Sequence, residues 1–413
     1  MKRVVFVRLL AFQLLCWMAT IVHGQFDALD VEHPAIRYRD SPRSDAVAVL
    51  NDRLQAGERQ LAFNGPSGYL TSLLAALDVP IDSQLAVYSK TSLQSTRIDP
   101  RHPRVIYFND STAVAWVPGG FIEVAAHDPQ YGATFYVLDQ TPVSRPHLVR
   151  DERCTSCHLS AAAAGVPGFL VRSIPTAADG STLPWLGNYA TDHRSALRDR
   201  WGGWYVTANR VDGPHLGNGL IADPDARDLP PWTADRHLKT LEGRLASRTY
   251  PAPYSDIVAL LVFDHQARMM NLLTRLAWEA RIQEDQSASD VMARASEVVD
   301  YLLFVDEAPL GRIEGTSGFA ARFSARGPRD RRGRSLRDLR LDGRLMRYPL
   351  SYMIYSAAFQ ALPQPIREAI YRRLSDILSG QNRSAAYRHL SAVDRQALRE
   401  IVRDTLPDGP SFF

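Results

Sequence analysis

The chain has 413 residues, 45% hydrophobic and 23% charged, a globular balance that argues against a disordered or collagen-like polypeptide. Its formal charge of +3 comes from Lys2, Arg3 and Arg8; beyond residue 24, 45 basic residues face 45 acidic ones, so no global charge marks nucleic acid or an anionic membrane as partner. The length predicts two or three domains, or one large one.

The basic start leads into an apolar run over residues 9–22, then His23-Gly24-Gln25. A basic start, a short apolar core and small residues at a cut site predict a secretory signal over residues 1–24, cleaved after Gly24. The run is short for a spanning helix, which needs about twenty residues; an uncleaved anchor is the alternative. Cys16 follows Gln13-Leu14-Leu15, which lacks the small residues of a lipoprotein cleavage box, so no lipid anchor is expected. No later segment is long and apolar enough to span a membrane. The expected location is therefore periplasmic or extracellular. Disorder is expected only over the first dozen or so residues after the signal and at the extreme C-terminus.

Short helices are predicted over residues 44–57 and 68–78. Runs rich in aromatic and β-branched residues at 85–88, 105–108, 112–117, 121–126 and 134–138, separated by turn residues, predict antiparallel strands. Residues 143–229 are rich in Gly, Pro, His and Trp without long periodicity, as in segments that build a site. Helices are predicted over 255–284, capped by Ser255, and over 290–306, 317–325, 352–361, 365–379 and 384–406. The fold class is α+β: a strand-rich part (25–142), a central loop-rich cofactor-binding segment (143–233) and a helical part (234–413). Residues 322–347 hold ten arginines against three aspartates.

Without residues 1–24 the chain keeps two cysteines, both in Arg153-Cys154-Thr155-Ser156-Cys157-His158. Two thiols spaced by two residues, followed at once by His, match covalent attachment of haem c: the thiols add across the two vinyl groups and the imidazole reaches the iron. Competing readings lack their requirements. A thioredoxin-like site needs a βαβ pattern, and here Leu159-Ser160 and four alanines follow. A structural zinc site needs four ligands, and there is no second cysteine pair. The motif predicts one haem c, held by Cys154 and Cys157, with His158 on the iron.

This motif resembles the c-type cytochromes. Most of the chain after the signal resembles an uncharacterised family of exported bacterial proteins with a single haem motif. The resemblance is carried by Ser89-Lys90-Thr91-Ser92-Leu93-Gln94, Arg200-Trp201-Gly202-Gly203-Trp204-Tyr205-Val206-Thr207, His215-Leu216-Gly217-Asn218 and Arg347-Tyr348-Pro349-Leu350-Ser351-Tyr352. Leu216 stands where the family pattern looks like Met, and Leu350 where it looks like Cys. Neither a methionine ligand nor a thiol is required at those points. The resemblance groups the chain and implies no reaction.

The second axial ligand decides what a haem does. His215, in the glycine-rich loop 212–219, is the first candidate. His265 and Met269 are the second, because Val258, Leu261, His265, Met269, Leu272 and Leu276 share one helix face; a buried core histidine beside a packing methionine is the competing reading. His193, next to Asp192 as a possible orienting carboxylate, is weaker, and Met346 and Met353 read as core. The two glycines of 200–205 allow close backbone approach, with the tryptophans either on porphyrin edges or in the core. The arginines of 322–347 suit haem propionates or an acidic redox partner, against a plainly solvated face. Two functions follow: electron transfer outside the cytoplasm with a redox partner protein, or a haem enzyme, such as a peroxidase or other small-molecule oxidoreductase, with an open distal site. The size of the chain, well beyond the hundred or so residues of a minimal carrier domain, is the argument for the second, a docking surface being the other use of the extra chain; electron transfer is the expected function, because the motif itself licenses it.

Overall fold

The structure, a computed structural model, describes residues 27–229, 237–246, 249–282, 288–407 and 411–413. The expected signal, with Cys16, lies outside the described residues.

The predicted hairpins form one antiparallel sheet. Its strands are β1 (Leu85–Val87), β2 (Arg104–Phe108), β3 (Thr112–Trp116), β4 (Ile122–Asp128), β5 (Gly132–Leu138) and β6 (Val149–Arg150), with β7 (Arg172–Ser173) and β8 (Tyr189–Ala190) paired separately and β9 (Trp204–Tyr205) returning to the sheet. The seven-stranded order is β6-β5-β4-β3-β2-β1-β9. The central segment thus supplies an edge strand to the N-terminal sheet, with Ala86 opposite Tyr205.

Because side chains alternate along each strand, the sheet has two apolar faces. Val105, Tyr107, Val114, Trp116, Val124 and Tyr136 meet two short helices, α1 (Ala46–Gln55) and α2 (Leu70–Ala76). Leu85, Val87, Ile106, Phe108, Ala115 and Phe135 face the larger core. After the one-turn helix α3 (Thr155–His158), that core is built by α4 (Ile257–Ile282), α5 (Ala288–Leu302), α6 (Phe319–Ala325), α7 (Ala357–Gln360), α8 (Gln364–Ser379) and α9 (Ala392–Thr405). The protein is α+β, strand-rich before residue 140 and helical at its C-terminal end.

Helix α4 is the axis of this core. Ile257–Ala267 are buried on all sides, as expected of a central helix. Truncating one of its fully buried side chains, such as Leu260, costs ~2–5 kcal/mol. Its N-terminus corrects the expected cap. Ser255 Oγ donates to Tyr205 O at 2.6 Å and accepts from Ala86 N at 2.9 Å, tying the helix to the sheet. Asp256 caps instead, its Oδ1 accepting from Val258 N at 2.7 Å and its Oδ2 from Thr316 N and Ser317 N at 2.8 and 2.7 Å. A carboxylate at a helix N-terminus also meets the positive end of the helix dipole.

Three further expectations are corrected. The helix over 384–406 is broken: a 3-10 turn, Ala385–Tyr387, precedes α9, which starts at Ser391 with a reciprocal capping box to Asp394. Residues 352–361 form a 3-10 turn, Tyr352–Tyr355, and then α7, because Ser356 caps anew through Phe359 N. The segments expected to be disordered are partly packed. Ile36 and Tyr38 are buried with Trp278, and the Phe412 ring packs, tilted, 5.4 Å from that of Tyr371. Among the described residues, no helix is long and apolar enough to cross a membrane.

Candidate functional site

Asp151 starts the motif. Its Oδ1 accepts from Arg153 N at 3.0 Å, and its carboxylate holds the Arg153 guanidinium. This cap launches a 3-10 turn, Glu152–Cys154, that runs into α3. The two residues between the cysteines turn back on that turn: Thr155 Oγ1 donates to Glu152 O at 2.6 Å, and Ser156 Oγ to Arg153 O at 2.8 Å. On a helical turn, positions three and four apart share a face. Cys154, Cys157 and His158 therefore lie on one side of a single turn.

Cys154 is half-buried against the large core and Cys157 is exposed; both are free thiols. Burial, then the carboxylates of Asp151 and Glu123, push the Cys154 thiol up to about 12. A redox-active Cys-x-x-Cys thiol is shifted the opposite way, towards thiolate. Among the described residues no three His, Cys, Asp or Glu side chains converge to hold a metal ion.

His158 is held from its rear. Its Nδ1 lies 2.9 Å from Gly168 O, and its own carbonyl accepts from Gly168 N at 3.0 Å. A carbonyl only accepts, so Nδ1 carries the hydrogen and Nε2 keeps its lone pair. Burial holds the ring below the ordinary histidine value, in its neutral form. Phe135 of β5 supports the ring, with centroids 4.9 Å apart. Opposite Phe135 on β4 stands Ala125, and the next residue on that face is Glu123, paired with Arg104 at 3.0 Å and accepting from Ser92 Oγ at 2.7 Å. None of Gly168, Phe135, Glu123 and Arg104 was singled out by sequence.

The residues fit a haem c: two unpaired thiols one turn apart, and a neutral imidazole whose second nitrogen is fixed to a carbonyl. Protein-bound imidazoles are oriented for a metal in this way.

Beside the motif lies a cavity of about 680 Å³, lined in part by Ala161, Phe169, Val171, Asp192, Arg194 and Asn271. Phe169 directly follows the glycine that holds His158, so one loop borders both places.

The second-ligand candidates are buried in the core. His215 is buried with its ring 5.7 Å from Trp201. His265 is fully buried and uses both ring nitrogens, Nδ1 to His193 Nδ1 at 2.7 Å and Nε2 to Ser351 Oγ at 2.6 Å. It stacks between Tyr301 and Phe304, and burial pulls its pKa down to about 3. Asp192 does not orient His193; its carboxylate binds Arg194 at 2.7 Å, while His193 turns inward to His265. Met269, Met346 and Met353 are buried in the large core.

The tryptophans of 200–205 are also core. Trp201 Nε1 donates to Asp264 Oδ2 at 3.1 Å, and Trp204 Nε1 to Arg172 O at 2.7 Å. Gly202 and Gly203 are required for backbone approach to Ile174 and Ser89; a Cβ would come within 2.8 and 2.6 Å of them. Most arginines of 322–347 bind carboxylates of this chain. Arg322 meets Asp82 at 2.6 Å, Arg334 meets Asp330 at 2.6 Å, Arg344 meets Asp394 at 2.8 Å, and Arg337 meets Asp110.

Comparisons of the chain with protein-family models, with curated proteins and with solved structures return no match.

Proposed function

We propose that the chain is an exported c-type cytochrome carrying one covalent haem, and that it transfers electrons outside the cytoplasm. The observation that carries this reading is the one-turn helix that presents Cys154, Cys157 and His158 together, with His158 Nδ1 fixed on Gly168 O at 2.9 Å. Cys154 and Cys157 would hold the porphyrin by thioethers, and His158 Nε2 would bind the iron. Bound there, the haem supplies a one-electron couple whose potential the surrounding residues set. Gly168 O orients the imidazole, Phe135 supports its ring, and the Arg104–Glu123 pair is the nearest charge pair on the adjoining sheet face. The partner would be a redox protein.

A second reading, a haem enzyme acting on a small molecule, is favoured by one specific feature. The 680 Å³ cavity is bordered by Phe169, next in the chain to the glycine that holds His158, and both ring nitrogens of His265 are hydrogen-bonded within the core. The haem held by Cys154, Cys157 and His158 would then supply redox chemistry to a small molecule bound in the cavity.

The test is expression with an exported haem-attachment system, acid–acetone extraction, and a pyridine haemochrome spectrum of the residue. Wild-type protein is expected to retain its haem. The Cys154→Ser/Cys157→Ser variant is expected to lose it. Wild-type protein without covalent haem, or a double variant that keeps it, refutes the proposal.

A further inference from the structure

Resting on the haem reading above, we infer that Asn271 is a positioning residue for the iron ligand, acting on His158 through one peptide group. The carbonyl of the Gly168–Phe169 peptide receives His158 Nδ1 at 2.9 Å. The N–H of that same peptide donates to Asn271 Oδ1, also at 2.9 Å. Asn271 then closes the grip, its Nδ2 donating to Phe169 O at 2.8 Å. A single amide plane therefore separates the asparagine from the imidazole.

The grip is rigid for reasons visible around it. Asn271 is buried in the middle of α4. Gly168 packs so closely on it that a Cβ would fall 2.3 Å from Asn271 Oδ1. On the other side, Pro167 O accepts from Ala133 N at 3.0 Å, anchoring the loop to β5. The long helix and the sheet thus clamp residues 167–169 between them.

The chemical consequence follows from polarisation along a hydrogen-bond chain. An acceptor on the amide N–H makes the amide carbonyl a better acceptor. A better acceptor at Gly168 draws the Nδ1 hydrogen of His158 more strongly. The imidazole then becomes a more basic ligand, which favours the ferric state and lowers the reduction potential. Asn271 is in this sense a potential-setting residue that acts through the Gly168–Phe169 peptide.

The experiment compares the reduction potentials of haem-loaded wild type, Asn271→Asp and Asn271→Leu. Aspartate keeps the acceptor and adds charge, so its potential is expected to fall below wild type. Leucine removes the acceptor, so its potential is expected to rise. A purely structural role would move both variants the same way, and that result overturns the inference, as does no shift in either. On the unaltered ferrous protein, the His158 Nδ1 proton is expected to exchange slowly with solvent, which keeps the claim testable if a variant misfolds; exchange as fast as in a free imidazole overturns it. Wild-type protein that holds no covalent haem overturns the haem reading and this inference together, whereas covalent haem with unmoved potentials overturns this one alone.

Discussion

His193 and His265 meet through their Nδ1 atoms at 2.7 Å, 72 positions apart in sequence and both shut away from solvent. The two nitrogens share one hydrogen, and burial keeps both rings neutral in the folded protein. Burial lowers both pKa values, His265 to about 3 and His193 well below its ordinary value.

This pair predicts an acid-sensitive fold. A histidine held neutral binds its proton more readily when unfolded, so its contribution to stability is lost as pH falls below about 6.5 towards its folded value. For each such ring the loss reaches ~1.4 kcal/mol per pH unit. Asp264 and Glu307, pushed by burial up to about 6 and about 7, work in the opposite direction, their stability being lost as pH rises through those values. A difference experiment removes that background. His265→Gln is expected to lose ~1–3 kcal/mol near neutral pH, from the bonds to His193 and Ser351. The deficit should narrow at about pH 5, where wild type alone bears the cost of a neutral His265. Urea midpoints at the two pH values decide it; a deficit that stays constant sinks the assignment.

Arg200 and Asp264 predict a strong, non-additive effect. Their side chains are 1% and 0% exposed and 3.4 Å apart. Thr191 Oγ1 and Trp201 Nε1 add bonds to the carboxylate at 3.0 and 3.1 Å. Asp264→Leu leaves a buried guanidinium uncompensated and is expected to cost ~3–5 kcal/mol. The double variant Arg200→Met/Asp264→Leu removes both charges and should be less destabilised than the single one. Guanidinium denaturation of the set tests this, and a double variant no better than the single would contradict it.

Gly168→Ala should destabilise by steric force alone. Gly168 does not adopt a positive φ, so an alanine meets no backbone strain there, but its Cβ would lie 2.3 Å from Asn271 Oδ1. Relief by displacement costs ~1–3 kcal/mol. In haem-loaded protein the Soret band should shift as well, because the moving carbonyl is the one bonded to His158. A variant with wild-type midpoint and spectrum would show that the contact relaxes freely.

Ferrous, haem-loaded protein is expected to bind carbon monoxide, since both ring nitrogens of His265 are hydrogen-bonded and Met269 is packed in the core. A new Soret band on adding the gas is the expected outcome. If the spectrum does not change, a side chain fills that position, and His215→Ala and His265→Ala examined separately will identify it.

Much of the framework was legible before any coordinates. The hairpin runs near 105–108, 112–117 and 134–138 became β2, β3 and β5 within a residue or two, because alternation and turn residues act locally. The long apolar periodicity after Ser255 became α4 for the same reason. The haem motif is equally local: its three side chains share a face simply because one helical turn brings positions three and four apart together.

What the tertiary structure decided is where polar groups find partners. Ser255 and Asp256 are both good caps by residue type; the sheet claims the hydroxyl, and the 316–317 backbone meets the carboxylate. Asp192 and His193 are neighbours in sequence, yet Asp192 turns to Arg194 and His193 to a helix far along the chain. Gly168 and Asn271 carry no motif, yet they place the imidazole that the motif supplies. A buried donor or acceptor must be satisfied by whatever packing brings within about 3 Å, and such partners, distant in the chain, leave no period or spacing in the sequence.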